Sequence, residues 1–182
     1  MKNDKYSIIF STMTGNTKEL ADAIRGALPA ENCEYWGLSK DFETATGADA
    51  YTTAGADAIS DMLYIGFWTD RGHADAATLD LLSKLEGKKI FLFGTAGFGG
   101  SKAYFDQILN ATKESIGESN TVVGEFMCQG KMPQSVKDRY MKMKESPDAP
   151  ANLDQLIENW DRALTHPDAD DLAAVAAAVK AL

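Results

Sequence analysis

Residues 6–17 read Tyr-Ser-Ile-Ile-Phe-Ser-Thr-Met-Thr-Gly-Asn-Thr, and this stretch decides the fold. Its first five residues form a short apolar run that predicts a buried strand. From Asn16 onward, apolar residues such as Leu20 and Ile24 recur at helical spacing until Pro29 stops the pattern. The chain therefore begins with a buried strand, a polar loop and an amphipathic helix.

The alternation of strands and helices continues along the chain. Further strands are predicted at residues 33–36, 62–67, 89–93 and 121–127, and helices at 76–85, 101–116, 136–144 and 153–164. We interpret residues 69–75 as a polar loop and residues 41–57 as a long connection with one short helix. Strands that alternate with helices form mostly parallel sheets with helices on both faces. The predicted fold class is α/β, a three-layer αβα arrangement around a five-stranded parallel sheet, with extra C-terminal helices.

Length and charge exclude several classes of protein. The 182 residues fit one domain, since domains hold roughly 100–200 residues. The 18 Lys and Arg residues are outnumbered by 27 Asp and Glu residues, which gives a net charge of -9. Such a chain is unsuited to nucleic acid and to anionic membranes, but it suits docking on a basic patch of a partner protein.

The cysteines and the N-terminal region indicate a cellular compartment. Cys33 and Cys128 lie far apart and form neither a CxxC motif nor a Cys/His pattern. We therefore expect neither a disulfide framework nor a metal site. The apolar run Ile8-Ile9-Phe10 is too short for a signal peptide or a membrane span, so we predict a cytoplasmic protein.

The chain divides into residues 1–166, which hold the predicted sheet, and an Ala-rich tail over residues 167–182. The tail carries a narrow apolar stripe that includes Leu172, Val175 and Val179. This stripe packs either on the body of its own chain or on another subunit, and we expect the former. The oligomeric state stays open.

The loops after the first, third and fourth strands carry the predicted site, because open parallel sheets bind ligands outside the carboxyl ends of their strands. The first loop, Ser11 to Thr17, holds four hydroxyl groups, a glycine and an asparagine ahead of a helix. Helix N-terminal amides, the helix dipole and hydroxyl donors together bind a phosphate without Lys or Arg. Gly15 permits close approach of the backbone to such a ligand.

The segment Thr-Met-Thr-Gly-Asn-Thr at residues 12–17 resembles the T-x-T-G-N-T phosphate loop of the flavodoxin family. The resemblance implies a sheet order of 2-1-3-4-5 and FMN as the cofactor. It also implies that the terminal phosphate of FMN is held by Ser11, Thr12, Met13, Thr14, Gly15, Asn16 and Thr17. The alternative is a polar turn that only caps the helix.

The second loop follows the third strand and contains Phe67, Trp68, Thr69, Asp70, Arg71 and Gly72. Flavodoxins place a Trp-containing loop here against one face of the flavin, so these residues are predicted to bind the cofactor. The family usually has glycine directly after the Trp, whereas Thr69 follows Trp68 here. The residue that contacts flavin N5 is therefore left open, and both aromatic residues are alternatively core residues at a strand end.

The third loop resembles the second flavin-holding loop of the family and contains Thr95, Ala96, Gly97, Phe98 and Gly99. We expect Phe98, or alternatively Tyr104, to cover the other face of the flavin. Backbone amides of this glycine-rich loop are suited to the pyrimidine oxygens.

Other polar residues near these loops have surface or core roles as their default interpretation. His73 is a candidate proton donor, and Arg71 and Lys18 are candidate counter-charges, yet all three are expected to be solvated. The segment Cys-Gln-Gly-Lys at residues 128–131 follows the fifth strand and ends at the same edge of the sheet as the three loops. It is a candidate for contact with the flavin edge or with a partner. The alternative, which we favour for Cys128, is a buried and inert thiol. We assign no catalytic residue.

The resemblance implies an electron carrier that takes electrons from a reductase and delivers them to an acceptor enzyme. Segments 66–72 and 128–131 resemble a bacterial flavodoxin branch found with bilirubin reductases, so a tetrapyrrole reductase is the expected acceptor. One alternative is a self-contained flavoenzyme, either an NAD(P)H-dependent FMN or quinone reductase or a menaquinone-type oxidase of a porphyrinogen. Another is a flavin-free interaction module.

Overall fold

The computed structural model describes residues 5–46 and 60–182, and a mostly parallel β-sheet forms its centre. The strands are β1 (Tyr6–Phe10), β2 (Cys33–Leu38), β3 (Met62–Asp70), β4 (His73–Ala74), β5 (Lys89–Ala96) and β6 (Thr121–Gln129). The five parallel strands lie in the order β2-β1-β3-β5-β6, and the short β4 pairs antiparallel with β3. Since β5 and β6 are the fourth and fifth predicted strands, the predicted order 2-1-3-4-5 is confirmed.

Seven α-helices are present in the described parts of the chain. They are α1 (Asn16–Ala27), α2 (Ser39–Thr46), α3 (Ala76–Lys84), α4 (Lys102–Lys113), α5 (Gln134–Lys144), α6 (Leu153–Ala163) and α7 (Ala169–Lys180). The short helix expected in the connection over 41–57 is α2, and the rest of that prediction lies outside the described residues. No helix in the described ranges is long and apolar enough to cross a membrane.

Each face of the sheet has its own hydrophobic core, because alternate residues of a strand point to opposite faces. Ile9 of β1 packs with Ile65 and with Leu82 of α3 on one face. Its neighbour Ile8 packs with Leu20 of α1 on the other face. All five side chains are fully buried, so the three-layer αβα prediction is confirmed.

The C-terminal tail packs on its own domain. Helix α7 lies against α1 and β6, and Val175 and Val179 of its apolar stripe are buried in the second core. Asp168 caps the helix by accepting hydrogen bonds from the amides of Asp170 and Asp171. Of the two placements considered from the sequence, the structure shows the intramolecular one.

The predicted loop over residues 69–75 is wrong, because β3 continues to Asp70 and turns directly into β4. The turn residues Arg71 and Gly72 have φ angles of 51° and 92°. A positive φ at both central residues is what a type I′ hairpin turn requires. An Asn-Gly or Asp-Gly pair signals such a turn, whereas arginine adopts a positive φ only rarely, so the sequence carried no clear hairpin signal.

Strand β5 also runs past its predicted end at Phe93 and finishes at Ala96. Thr95 pairs with Trp68 of β3 on one side and with Cys128 of β6 on the other. Pairing with a strand on each side keeps the backbone of β5 extended as far as Ala96. Thr95 and Ala96, predicted as loop residues, therefore belong to the end of a strand.

Candidate functional site

The carboxyl ends of β1, β3, β5 and β6 meet at one edge of the sheet and enclose a cavity of about 560 Å³. Most of the predicted site residues line it, namely Met13, Thr14, Asn16, Trp68, Thr69, Arg71, Gly72, Thr95, Ala96, Gly97 and Phe98. They come from all three predicted segments. The topology therefore brings these segments together around one cavity.

The remaining predicted site residues do not line the cavity: Ser11, Thr12, Gly15, Thr17, Phe67, Asp70 and Gly99. Phe67 is fully buried in the hydrophobic core, as its alternative interpretation proposed. The Thr17 hydroxyl lies 3.2 Å from the carbonyl oxygen of Phe67, to which it donates, and 3.0 Å from the Thr95 hydroxyl. These side chains fix the strand ends to α1 beneath the cavity.

Ser11 connects the first loop to α3. Its buried hydroxyl donates to the carboxylate of Asp75 and lies 3.1 Å from the hydroxyl of Thr78. Asp75 also caps α3 by accepting from the Thr78 amide at 3.2 Å. Ser11 is therefore part of a buried network below the loop, and the hydroxyl that reaches the cavity is that of Thr14.

The first loop presents a helix N-terminus to the cavity. Gly15 precedes α1 with a φ of 90° and offers no side chain to cap the first-turn amides. The loop is closed by the Thr12 hydroxyl, which accepts from the Gly15 amide at 3.0 Å. A helix N-terminus without a side-chain cap concentrates positive potential at its first amides and suits an anion.

Asn16 joins the first loop to the segment after β6. Its side-chain NH₂ donates to the Thr14 hydroxyl and to the Lys131 carbonyl oxygen, both at 2.8 Å. Its Oδ1 is buried and accepts no hydrogen bond from the described residues. A buried acceptor without a donor is costly to leave unsatisfied, so this atom suits a ligand hydroxyl.

The hairpin of β3 and β4 forms one wall of the cavity. The Trp68 carbonyl oxygen accepts from the Asp75 amide at 3.2 Å, and the Thr69 hydroxyl donates to the Thr95 carbonyl oxygen at 3.0 Å. Trp68 and Thr69 are thus held in the sheet. The residues with positive φ, Arg71 and Gly72, lie at the hairpin tip and also line the cavity.

Two aromatic side chains stand on the opposite segment. The rings of Phe98 and Tyr104 meet edge to face with centroids 6.1 Å apart, and both line the cavity. Phe98 is 45% exposed, whereas Tyr104 packs against the first core, where burial raises its pKa. The exposed ring of Phe98, supported from below by Tyr104, is the better platform for a flat ligand.

Among the described residues that line the cavity, the ionisable side chains are those of Arg71, Lys131 and Tyr104. Lys131 forms an ion pair with Glu19 at 3.0 Å. His73, the one candidate proton donor, lies outside the lining, and its Nδ1 is 2.7 Å from the Ala74 carbonyl oxygen. The lining therefore holds two cations, although carboxylates outside the lining lie beside both, Glu19 at Lys131 and Asp70 at 4.0 Å from Arg71.

The remaining candidates lie away from the cavity. Lys18 pairs with Asp22 at 2.7 Å and stacks over Trp36, so it is a surface residue of α1. Cys128 is buried, and burial raises the pKa of its thiol well above the usual range. A thiol in this state is inert, which confirms the buried interpretation of Cys128.

Met132 and Pro133 line the cavity after β6 and were not predicted from the sequence, whereas Lys131, which also lines it, belongs to the segment 128–131 expected to contact the flavin edge or a partner. The carbonyl oxygen of Pro133 accepts from the indole NH of Trp160 in α6 at 3.1 Å. The signal was available, since this segment follows the carboxyl end of a parallel strand as the other loops do.

Comparison with known proteins gives consistent matches. A family model described as Flavodoxin domain matches residues 7–180. The flavodoxin-like domain-containing protein BilS of Clostridium symbiosum (strain WAL-14163) is 40% identical over 179 residues, covering 93% of this chain and 91% of that protein. BilS of Clostridioides difficile (strain CD3) is 31% identical over 170 residues, covering 92% and 90%. Two-electron reduced Megasphaera elsdenii flavodoxin superposes with a TM-score of 0.44 at 21% identity, covering 87% of this chain and 99% of that one.

Proposed function

The chain belongs to the flavodoxin family, and on that premise we propose that it binds FMN and carries electrons from a reductase to an acceptor enzyme. One observation carries the proposal. An uncapped helix N-terminus lies at the same cavity as the exposed ring of Phe98 and the side chain of Trp68. A molecule with an anionic end and a flat apolar end satisfies both features.

The residues present fit the three parts of FMN. The amides at the start of α1 and the Thr14 hydroxyl suit the phosphate. The buried Oδ1 of Asn16, which has no donor among the described residues, suits a hydroxyl of the ribityl chain. Trp68 and Phe98 suit the ring, and the cavity volume of about 560 Å³ is that of a cofactor site.

When bound, FMN supplies a centre that accepts and releases one or two electrons. The chain's own residues determine how well that centre is held and how it is surrounded. The aromatic side chains of Trp68 and Phe98 exclude water from the ring, which strengthens the effect of nearby charges. Arg71 and Lys131 lie on the lining and favour added negative charge there, in opposition to the overall charge of -9.

A carrier is favoured over a self-contained reductase. The described residues lining the cavity include no histidine, cysteine or carboxylate that could act as an acid or base. A reductase for NAD(P)H also needs a second nucleotide site, and no basic cluster for one is evident in the sequence. The charge of -9 suits transient docking on a basic partner.

We further propose a tetrapyrrole reductase, acting on bilirubin, as the electron acceptor. The support is the resemblance of segments 66–72 and 128–131 to the branch found with such enzymes, together with the 40% identity to a protein named BilS. The electron donor is proposed to be a separate reductase. The two free cysteines suit the reducing cytoplasm, which we propose as the compartment.

The experiment starts from the purified full chain reconstituted with FMN, whose visible absorption reports the state of the cofactor. Under anaerobic conditions, stopped-flow absorption follows bleaching by NAD(P)H alone and by NAD(P)H with a flavodoxin reductase. We expect slow bleaching without the reductase and fast bleaching with it. The fast phase should slow as salt rises, because at about 0.15 M the screening length is already about 8 Å.

Two outcomes contradict the proposal. Fast bleaching by NAD(P)H without a partner, followed by turnover of quinones or free flavin, favours the self-contained reductase. Failure of the chain to bind FMN at all favours the flavin-free interaction module. The acceptor is tested in a separate experiment, in which the reduced protein is mixed with a bilirubin reductase. We expect electron transfer to the native enzyme and none to the same enzyme after denaturation.

A further inference from the structure

The carbonyl oxygen of Gly97, a residue of the cavity lining, accepts two hydrogen bonds from buried amide side chains. The Asn159 NH₂ of α6 donates to it at 3.0 Å, and the Gln129 NH₂ at the end of β6 donates to it at 3.2 Å. Gln129 also donates to Asn159 Oδ1 at 3.0 Å. Both amide side chains are less than a tenth exposed. The three groups form a closed network behind the cavity wall.

These bonds determine which way the Gly97–Phe98 peptide faces. The peptide is trans, and a trans peptide directs its carbonyl and the following amide in opposite directions. With the Gly97 oxygen held by α6 and β6, the Phe98 amide points away from them. The orientation of that donor relative to the cavity is thus fixed by side chains that do not themselves line the cavity.

The loop beyond Gly97 has little stiffness of its own. Gly99 and Gly100 adopt φ angles of 100° and 101°, a region that glycine enters without restraint. Phe98, which stands before them, is 45% exposed and so has few contacts to hold it. An external anchor is needed to keep this loop in one conformation, and the network on Gly97 is such an anchor.

The next residue of α6 anchors the neighbouring segment. The indole NH of Trp160 donates to the Pro133 carbonyl oxygen at 3.1 Å, and Pro133 lines the cavity too. Two adjacent residues of one helix therefore hold two segments of the cavity wall by their backbone carbonyls. A helix serving only to cover apolar surface would use apolar side chains here, because burying an amide is unfavourable unless it is hydrogen-bonded.

We propose that Asn159 and Gln129 are positioning residues of the cofactor site, which hold the Gly97 carbonyl so that the following loop is preorganised for the flavin ring. The identity of the ligand, a flavin, rests on the proposed function. The positioning of the loop rests on the hydrogen-bond network alone. The proposal assigns to α6 a role in the ring half of the site. The phosphate half, built on α1, is independent of it.

Three variants test the proposal. Asn159→Ala removes one donor from Gly97, and Asn159→Asp replaces that donor with a carboxylate oxygen at nearly the same position. The matched control is Asn120→Ala. The side chain of Asn120 also forms hydrogen bonds with the backbone: it donates to the Leu85 carbonyl oxygen at 2.7 Å and accepts from the Lys88 amide at 2.9 Å. None of these three residues lines the cavity.

The first readout is hydrogen exchange of the Phe98–Gly100 amides in the flavin-free full chain. We expect exchange to be about tenfold faster in Asn159→Ala and unchanged in Asn120→Ala. The second readout is the dissociation constants of FMN and riboflavin. Asn159→Ala should weaken both ligands by the same factor, about three- to tenfold, because the altered loop faces the ring that they share.

Asn159→Asp adds a readout that loss of stability alone does not give. Near neutral pH its carboxylate repels the Gly97 carbonyl, so riboflavin binding should be weaker than in Asn159→Ala. As the pH falls the carboxyl group is protonated and donates again, and affinity relative to the original protein should recover. The riboflavin affinity of Asn159→Asp should therefore depend on pH in a way that the affinity of Asn159→Ala does not.

The proposal is overturned if Asn159→Ala leaves both amide exchange and riboflavin affinity unchanged, or if Asn120→Ala changes them as much. A loss confined to FMN also overturns it, since it assigns the effect to the phosphate half. Should the original protein bind neither flavin, the proposed function fails. The exchange experiment then still shows whether the network holds the loop.

Discussion

Substitution of Thr14 is the sharpest test of the proposed phosphate site. Thr14 is exposed, lines the cavity, and its hydroxyl accepts a hydrogen bond from Asn16 at 2.8 Å. Because that bond occupies an oxygen lone pair, the hydroxyl proton remains to be donated to an anion. Thr14→Val keeps the shape of the side chain and removes this donor.

The expected loss follows from the charge on the ligand. A hydrogen bond to a charged group contributes about 1.5–3 kcal/mol, which corresponds to a dissociation constant for FMN roughly 10- to 150-fold higher. Riboflavin has no phosphate, so its affinity should change less than about threefold. Thr14→Val also removes the acceptor of one N–H of the buried Asn16 side chain, so the free energy of unfolding should fall by about 0.5–1.5 kcal/mol.

Quenching of flavin fluorescence on titration with the protein measures both constants under one set of conditions. Thr14→Ser is the matched control, since it restores the hydroxyl and should restore FMN binding. The double variant Thr14→Ala with Asn16→Ala should enlarge the difference between the two ligands. Equal losses for FMN and riboflavin in the Thr14 variants would refute the assignment of this loop to the phosphate.

Three further predictions concern the ring wall, the sheet and the pH dependence of stability. Trp68→Ala should raise the fluorescence of flavin in any remaining complex, because a stacked indole quenches it; unchanged emission would place Trp68 away from the ring. Gly94→Ala should lower the free energy of unfolding by about 1–3 kcal/mol in urea titrations, because a Cβ there would lie 2.5 Å from the ring of Phe67; an unchanged midpoint would contradict this packing. Burial raises the pKa of Tyr6 from 10.0 to about 12, so the folded protein keeps a proton that the unfolded chain releases. Stability should therefore fall as the pH rises through this range, and a slope as steep in Tyr6→Phe would contradict the cause.

Much of the fold follows from periodicity, whereas the hairpin does not. The buried runs of β1 and β5 and the apolar spacing of α1 each indicate one element without ambiguity. The turn at Arg71 and Gly72 lacks the usual residue types at its first position. The hairpin is held by a tertiary contact as well as by its own pairing, since the Ala74 amide of β4 donates to the Thr112 hydroxyl of α4 at 2.9 Å. The intrinsic conformational preferences of the turn residues do not reveal such contacts, so the hairpin could not be predicted from them.

The position of the site was predictable, but the direction of its side chains was not. Topology alone places the first loop at the carboxyl edge of the sheet. Within that loop, Thr14 reaches the cavity while Ser11 and Thr17 point into buried networks with Asp75 and Thr95. Hydroxyl residues look alike in sequence, and only the packed neighbours decide which of them is left for a ligand.

The networks that remove these hydroxyls from the cavity also explain how the site is held. The Ser11 bond to Asp75 ties the first loop to the start of α3, and the Asn16 bond to Lys131 ties it to the segment after β6. The side-chain amides of Gln129 and Asn159 tie the third loop, which begins at Gly97, to α6. Each wall is therefore fixed by its neighbours before any ligand arrives, so binding orders few groups and loses little entropy. A preorganised site of this kind suits the proposed electron carrier, because a carrier must keep its flavin through every encounter with a partner.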